Sequence, residues 1–203
     1  MIDYTAYCQE DIASRCPMLL ADLLGRRVDK MVRFSWYPPT ESVADSPAGP
    51  ASAFRFAPGP LVLWFEAGPA IGFGSLPEKA SVTVWVEALP DGEHCAADSV
   101  TEDEELFPID ADDPQYSDAT MAQVLGRTLK SIRVFTREAQ NVLLARRPRE
   151  AAIELEFDHG PTLVVAHGLH DDSDDMVVIE RSQILPDLRD QLHEAHVFQD
   201  QGG

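Results

Sequence analysis

The feature that most constrains this chain is that it resembles itself. Leu24-Gly25-Arg26 leads into the strand-like run Arg27 to Phe34, and Leu125-Gly126-Arg127 leads into Thr128 to Phe135, 101 positions on and without gaps. Phe65-Glu66-Ala67-Gly68-Pro69 recurs as Phe157-Asp158-His159-Gly160-Pro161 at an offset of 92. Ile71 and Phe73 then match Leu163 and Val165, and Val84-Trp85-Val86 matches Met176-Val177-Val178. The change of offset leaves the first copy about nine residues longer after its first strand. That excess falls in 38–60, where six prolines break regular structure. A rival register pairs Phe56-Ala57-Pro58-Gly59-Pro60 with the second-copy motif. The first register is preferred because it keeps the acid after Phe and aligns the strands downstream.

Each copy reads as a helix (about 8–24 and 117–125), a long strand, a loop, a hairpin and a last strand. The hairpins are 61–66 with 70–75 and 151–157 with 162–167, each turning at Gly-Pro. The last strands are 81–88 and 176–181. Apolar and polar residues alternate through Ala152 to Phe157, as in a half-buried strand. A unit of roughly 70 residues is marginal alone, so the two copies are expected to pack together. The carboxy-terminal stretch 182–195 places Ile184, Leu185, Leu188 and Leu192 at helical spacing, with Pro186 in the first turn. Residues 197–203 are expected to fray. The expected fold is α+β and β-rich: two tandem diverged helix–β-meander repeats in one pseudo-symmetric body, with a C-terminal helix. Residues 1–89 are the first repeat, 90–116 an acidic connector, and 117–203 the second repeat with its helix.

Charge narrows the partners. Sixteen Lys and Arg against thirty-five Asp and Glu give a net charge of −19. Such a field repels nucleic acid and anionic membrane surfaces, and it speeds encounter with a cationic partner. Between Ala80 and Gly126 there is no Lys or Arg, and there are twelve acids, among them Glu102, Asp103, Glu104, Glu105, Asp110, Asp112 and Asp113. All three tryptophans lie in the first copy, and Trp36-Tyr37, at the mouth of the proline-rich loop, is a candidate exposed anchor for a partner.

The chemistry searched for is mostly absent from the sequence. Gly68 to Gly74 is glycine-rich, but it fits neither a dinucleotide fingerprint nor a P-loop; glycines in a strand more often mark close backbone approach or a bulge. There is no GxSxG and no HExxH. The His167 to Asp175 loop holds two imidazoles and four carboxylates but departs from the EF-hand pattern, so a solvated acidic loop is favoured over a metal site. His193 and His196 are read as a polar helix face. Glu66 and Asp158, at matching turn edges, are expected to bond the turn backbone. No catalytic residue, cofactor or metal is assigned. Cys8, Cys16 and Cys95 are odd in number and form no CxxC, so unpaired thiols in a reducing cytoplasm are expected. The first residues, Met1 to Thr5, carry no basic and apolar leader pattern, and no apolar run reaches membrane-spanning length.

Through residues 24–34, 61–88, 125–135 and 151–181, about two-fifths of its length, the chain loosely resembles the small acidic immunity proteins of bacterial toxin–immunity systems. The shared elements are the LGR turn into a strand and the strand–acid–x-Gly-Pro–strand hairpin. The resemblance implies a non-enzymatic binding protein that occludes a basic partner such as a toxin domain. It carries over no functional residue. The alternatives are an enzyme or small-ligand or metal-binding protein with a pocket between the repeats, and a structural or assembly protein.

Overall fold

The alternating runs become two antiparallel sheets. The computed structural model describes residues 2–42, 49–95, 98–171, 173 and 175–200. In chain order the first part holds β1 (Asp11–Ile12), α1 (Pro17–Leu23), β2 (Val28–Ser35), α2 (Pro39–Ser42), α3 (Ala53–Phe56), β3 (Leu61–Phe65), β4 (Ala70–Leu76), β5 (Ser81–Ala88) and β6 (Phe107–Asp110). The second holds α4 (Ala119–Ala122), β7 (Leu129–Arg137), β8 (Ala152–Phe157), β9 (Leu163–His167), β10 (Met176–Glu180), α5 (Pro186–Arg189) and β11 (Leu192–Gln199). The strand orders are β1-β5-β4-β3-β2-β6 and β10-β9-β8-β7-β11.

The two meanders share their registers. Val28 faces Phe65, and a bulge then sets Lys30 opposite Trp64. Leu129 faces Phe157, and a bulge sets Ser131 opposite Glu156. Leu61 pairs with Phe73 as Ile153 pairs with Val165. The last strand departs from the sequence alignment. Val84 lies opposite Phe73, whereas Val178, not Met176, lies opposite Val165. The position of Trp85 in the first sheet is therefore taken by Ile179 in the second, two residues beyond the sequence match.

Inner faces of both sheets share one core. Met31, Leu61, Leu63, Ile71, Phe73, Val84 and Val86 meet Ile132, Val134, Ile153, Leu155, Val165 and Val178, with Leu19, Leu20 and Leu23 of α1 closing one side. At one end the two LGR turns cross. Gly25 donates to the Leu129 carbonyl and Gly126 to the Val28 carbonyl, both at 2.8 Å; Val28 donates to Arg127 and Leu129 to Arg26. Both glycines adopt positive φ, 78° and 75°, which a side chain would strain.

Outer faces are covered by the segments C-terminal to each meander. Val100 and Leu106 pack over Val32, Phe34 and Val62, and the chain then adds β6 beside β2. Ile184 and Leu188 pack over Val164, Ala166 and Ile179, and the chain then adds β11 beside β7. So the acidic stretch between Pro90 and Tyr116 contributes a strand and the buried residues Ile109 and Ala111.

The structure corrects several expectations. The C-terminal helix is absent: only Pro186–Arg189 is α-helical, after a 3₁₀ turn at Arg181–Gln183, and Leu192–Gln199 is β11. The apolar spacing was real, but it buries Ile184 and Leu188 through turns, while the free edge of β7 recruits the next residues as a strand. Residues 197–199 are paired rather than frayed, and 201–203 lie outside the described residues. The expected helix 8–24 is broken into β1, a 3₁₀ turn at Ala13–Arg15 and α1, which starts at Pro17. The helix expected at 117–125 shortens to α4, capped by the Asp118 side chain accepting from the Thr120 amide at 2.8 Å.

Candidate functional site

A glycine floor builds the site. Gly72 and Gly74 alternate along β4 and so share its outer face. The Trp85 indole, on neighbouring β5, lies across both: a Cβ at Gly72 would sit 2.1 Å from Trp85 Cε2, and one at Gly74 would sit 3.1 Å from Cζ3. The close-approach reading of these glycines therefore holds, and the partner is an indole. Trp85 Nε1 donates to Glu87 Oε2 at 2.8 Å. Glu87 is fully buried, and its other oxygen accepts from Ser99 Oγ and from the Thr101 amide and hydroxyl. This buried carboxylate ties the acidic stretch to β5.

Above this floor is a cavity of about 850 Å³. Its walls come from distant segments: Glu10, Trp36, Ser75, Asp98 and Asp175 join Trp85. A Cys8–Cys95 disulfide, with Cα atoms 5.2 Å apart, holds the N-terminal segment and the acidic stretch together beside it. This corrects the expectation of three unpaired thiols. The odd cysteine is Cys16, buried, its thiol pushed up to about 11 chiefly by burial. The cytoplasmic expectation rested on reduced thiols, and Cys8 and Cys95 no longer support it.

The cavity is acidic. Among the described residues lining it there are three carboxylates and no Lys or Arg. Burial raises the Glu10 carboxyl above its ordinary value, partly offset by a hydrogen bond from Thr83 and by the charge of Lys79. Lys79 itself is paired with Asp11 at 3.4 Å. Arg33 stands behind the wall, fully buried, donating to the carbonyls of Ala57 and Met176, with Nη1 unpartnered among the described residues. Burial pushes its pKa down to about 9, so it stays charged at neutral pH.

The residues singled out from the sequence are dispersed. Trp36, 59% exposed, lines the cavity; Tyr37, 55% exposed, follows it outside the lining. Glu102, Asp103, Glu104 and Glu105 are exposed on the turns before β6. Asp110 pairs with Lys30 at 3.2 Å, Asp112 is exposed, and Asp113 accepts from the amides of Gln115 and Tyr116. Glu10 and Asp98 were not singled out; Trp85 was named only among the first-copy tryptophans and in the repeat, and Asp175 only within the His167 to Asp175 loop weighed as a metal site. The Gly-x-Gly alternation within β4 was the one sequence signal for them.

Other constellations test poorly as chemistry. Ser99, His94 and Glu102 form a chain, with Ser99 Oγ 3.1 Å from His94 Nδ1 and His94 Nε2 3.2 Å from Glu102. A nucleophile must give its proton to the histidine. Ser99 gives its proton to Glu87, 2.5 Å away, and is buried, so the group anchors a loop. The His167–Asp175 loop is divided, with His167 and Ser173 lining a separate 220 Å³ cavity. Among the described residues no group of three or more His, Cys, Asp or Glu could hold a metal ion; Asp172 and Asp174 lie outside them. His193 pairs with Glu138 at 3.0 Å on strand β11, not on a helix face. Asp158 accepts from the amides of Thr128 and His159, which lower its pKa, while Glu66 faces Arg27 at 3.5 Å. No helix among the described residues is long and apolar enough to cross a membrane.

No family model matches the chain, and neither does a curated protein or a solved structure.

Proposed function

We propose that the protein is a non-enzymatic binding protein of the immunity type, which occludes a basic protein partner such as a toxin domain. The observation that carries this is the sign of the cavity. Glu10, Asp98 and Asp175, from three distant segments, line one cavity with Trp36 and Trp85; among the described residues no Lys or Arg lines it, and Glu102 to Glu105 of the acidic stretch are exposed. Exposed acids accelerate encounter with a basic surface, and desolvated aromatics retain it.

We also propose that the two sheets arose by duplication. Support comes from the matched bulges, the reciprocal bonds of the LGR turns, and a second matched contact, Ser75 Oγ to His167 Nδ1 at 2.6 Å, between residues 92 positions apart. On this reading the outer strands β6 and β11 belong to the repeats, which then run from 1 to 116 and from 117 to 200.

Capture tests the function. The tagged protein is exposed to lysate of its source organism at low and moderate salt, and eluted proteins are identified by mass spectrometry. One basic protein, retained stoichiometrically and weakened when Glu102 to Glu105 are neutralised, is the expected result. A salt-fragile crowd of basic proteins would sink the proposal.

One observation favours a second reading, hydrolysis. Ser75 lines the cavity with its hydroxyl against a buried histidine, the pairing that activates a serine. That reading requires covalent labelling of Ser75 by a fluorophosphonate, abolished in Ser75→Ala. The binding reading expects none.

A further inference from the structure

The cavity itself says which group of a basic partner it takes. We propose that it is a socket for an arginine-bearing segment of that partner, with the guanidinium set against Trp36 and Trp85 and paired with Glu10, Asp98 and Asp175. This rests on the binding function proposed above and goes beyond it by naming the site and the residue recognised.

Charge comes first. Among the described residues three carboxylates line the space and no Lys or Arg does. Three cations stand beside it: Lys79, paired with Asp11 and also felt by Glu10; Arg33, which donates to two carbonyls inside the wall and interacts with Asp175; and Arg147, which donates to the Pro77 carbonyl. The lining itself is left with an excess of acidic groups. An occupant bearing positive charge favours their charged forms, that of Glu10 included, which burial disfavours.

The aromatic rings then select the cation. A planar guanidinium stacks on indole faces and binds carboxylates through a rigid fork, whereas an ammonium is a strongly hydrated point charge. Trp85 is presented in a fixed pose, backed by Gly72 and Gly74 and tied through Nε1 to Glu87. Trp36, more than half exposed, lines the same cavity. The fixed Trp85 ring and Glu10, held by Thr83, limit the ordering cost of binding. About 850 Å³ admits more than one side chain, so the occupant is a short segment rather than a lone residue.

Matched peptides test this: acetylated, amidated tri-arginine, tri-lysine and the neutral isostere tri-citrulline, each titrated calorimetrically and by tryptophan emission. The expected order is arginine over lysine, with no binding of citrulline. Asp98→Asn, Glu10→Gln and Trp36→Ala should each weaken the arginine peptide about tenfold. The double variant Asp187→Asn/Asp190→Asn, at exposed positions outside the cavity lining, should leave the arginine affinity unchanged. Circular dichroism and thermal melts exclude misfolding, and Trp36→Ala, at an exposed position, remains informative if a cavity carboxylate variant is unstable. No tri-arginine binding, equal citrulline binding, or loss of binding only in the Asp187/Asp190 variant each overturns the socket. If a basic partner is captured and the cavity variants do not weaken it, the socket fails while the binding function stands. If no basic partner is captured, the binding function fails with it.

Discussion

Removing the Cys8–Cys95 cross-link should cost more stability than any surface change in this protein. The two cysteines are 87 positions apart. Closing a loop of that length in the unfolded chain costs about 4–5 kcal/mol of entropy at 25 °C, and measured cross-links commonly deliver about 2–4 kcal/mol. At about 2–4 °C per kcal/mol for a chain of this size, reduction should lower Tm by roughly 5–15 °C. Calorimetry with and without a phosphine reductant reads this directly. Cys8→Ser should start at the lower Tm and ignore reductant. Cys16→Ser should keep the full reductant response, because Cys16 is unpaired. Hydrogen exchange should rise first beside the cross-link, at Glu93 to Cys95 and Asp98 to Thr101. Three titratable thiols in protein unfolded without reductant would refute the pairing, and a Tm shift under 2 °C on verified reduction would refute the entropic argument.

Gly72→Ala drives a Cβ into the Trp85 ring, so it should destabilise by about 1–3 kcal/mol and shift tryptophan emission to the red. Glu87→Ala leaves the donors of Trp85, Ser99 and Thr101 without their buried carboxylate and should cost about 2–4 kcal/mol in chemical denaturation. For Asp118, burial alone would raise the pKa, but hydrogen bonds and charge from Arg55, with the Thr120 amide, outweigh it and hold the carboxyl below its ordinary value. A depressed folded-state pKa means its contribution is full above the ordinary aspartate value and is lost as pH falls through the folded value. Denaturation from pH 7 to 3 should therefore show a flatter acid limb in Asp118→Asn, and an identical limb would refute the coupling.

The meanders were legible because their residues are buried by their own neighbours. Alternation through Ala152 to Phe157 and the Gly-Pro turns mark hairpins without reference to the rest of the chain. β6 and β11 were not legible because their pairing is decided elsewhere. Phe107-Pro108 joins β2 as an edge, where a proline is tolerated. His193 to Val197 is mostly exposed and carries no alternating signature; only the unpaired edge of β7 makes it a strand. The same holds for the candidate site. Glu10, Trp36, Asp98 and Asp175 are scattered in sequence, and a disulfide that an odd cysteine count concealed helps bring two of their segments together.

The two sheets share a plan but differ at the faces turned away from the common core. Gly72 lies between Val62 and Trp85, whereas Val164, at the same place in the second sheet, lies between Glu154 and Ile179. Val164, Ala166 and Ile179 are sealed under Ile184 and Leu188, with Phe135 beside them and the buried Glu154 paired with Arg133 and Arg181, so that face is filled by side chains. The glycines of β4 instead leave room for an indole, and an indole that needs an acceptor recruits Glu87 and, through it, Ser99 and Thr101. The covering segment is thus held by polar bonds at one end and by Val100 and Leu106 elsewhere, rather than packed flat along its length. Two strand glycines, by admitting one tryptophan, account for why the first sheet carries a cavity where the second carries a closed core.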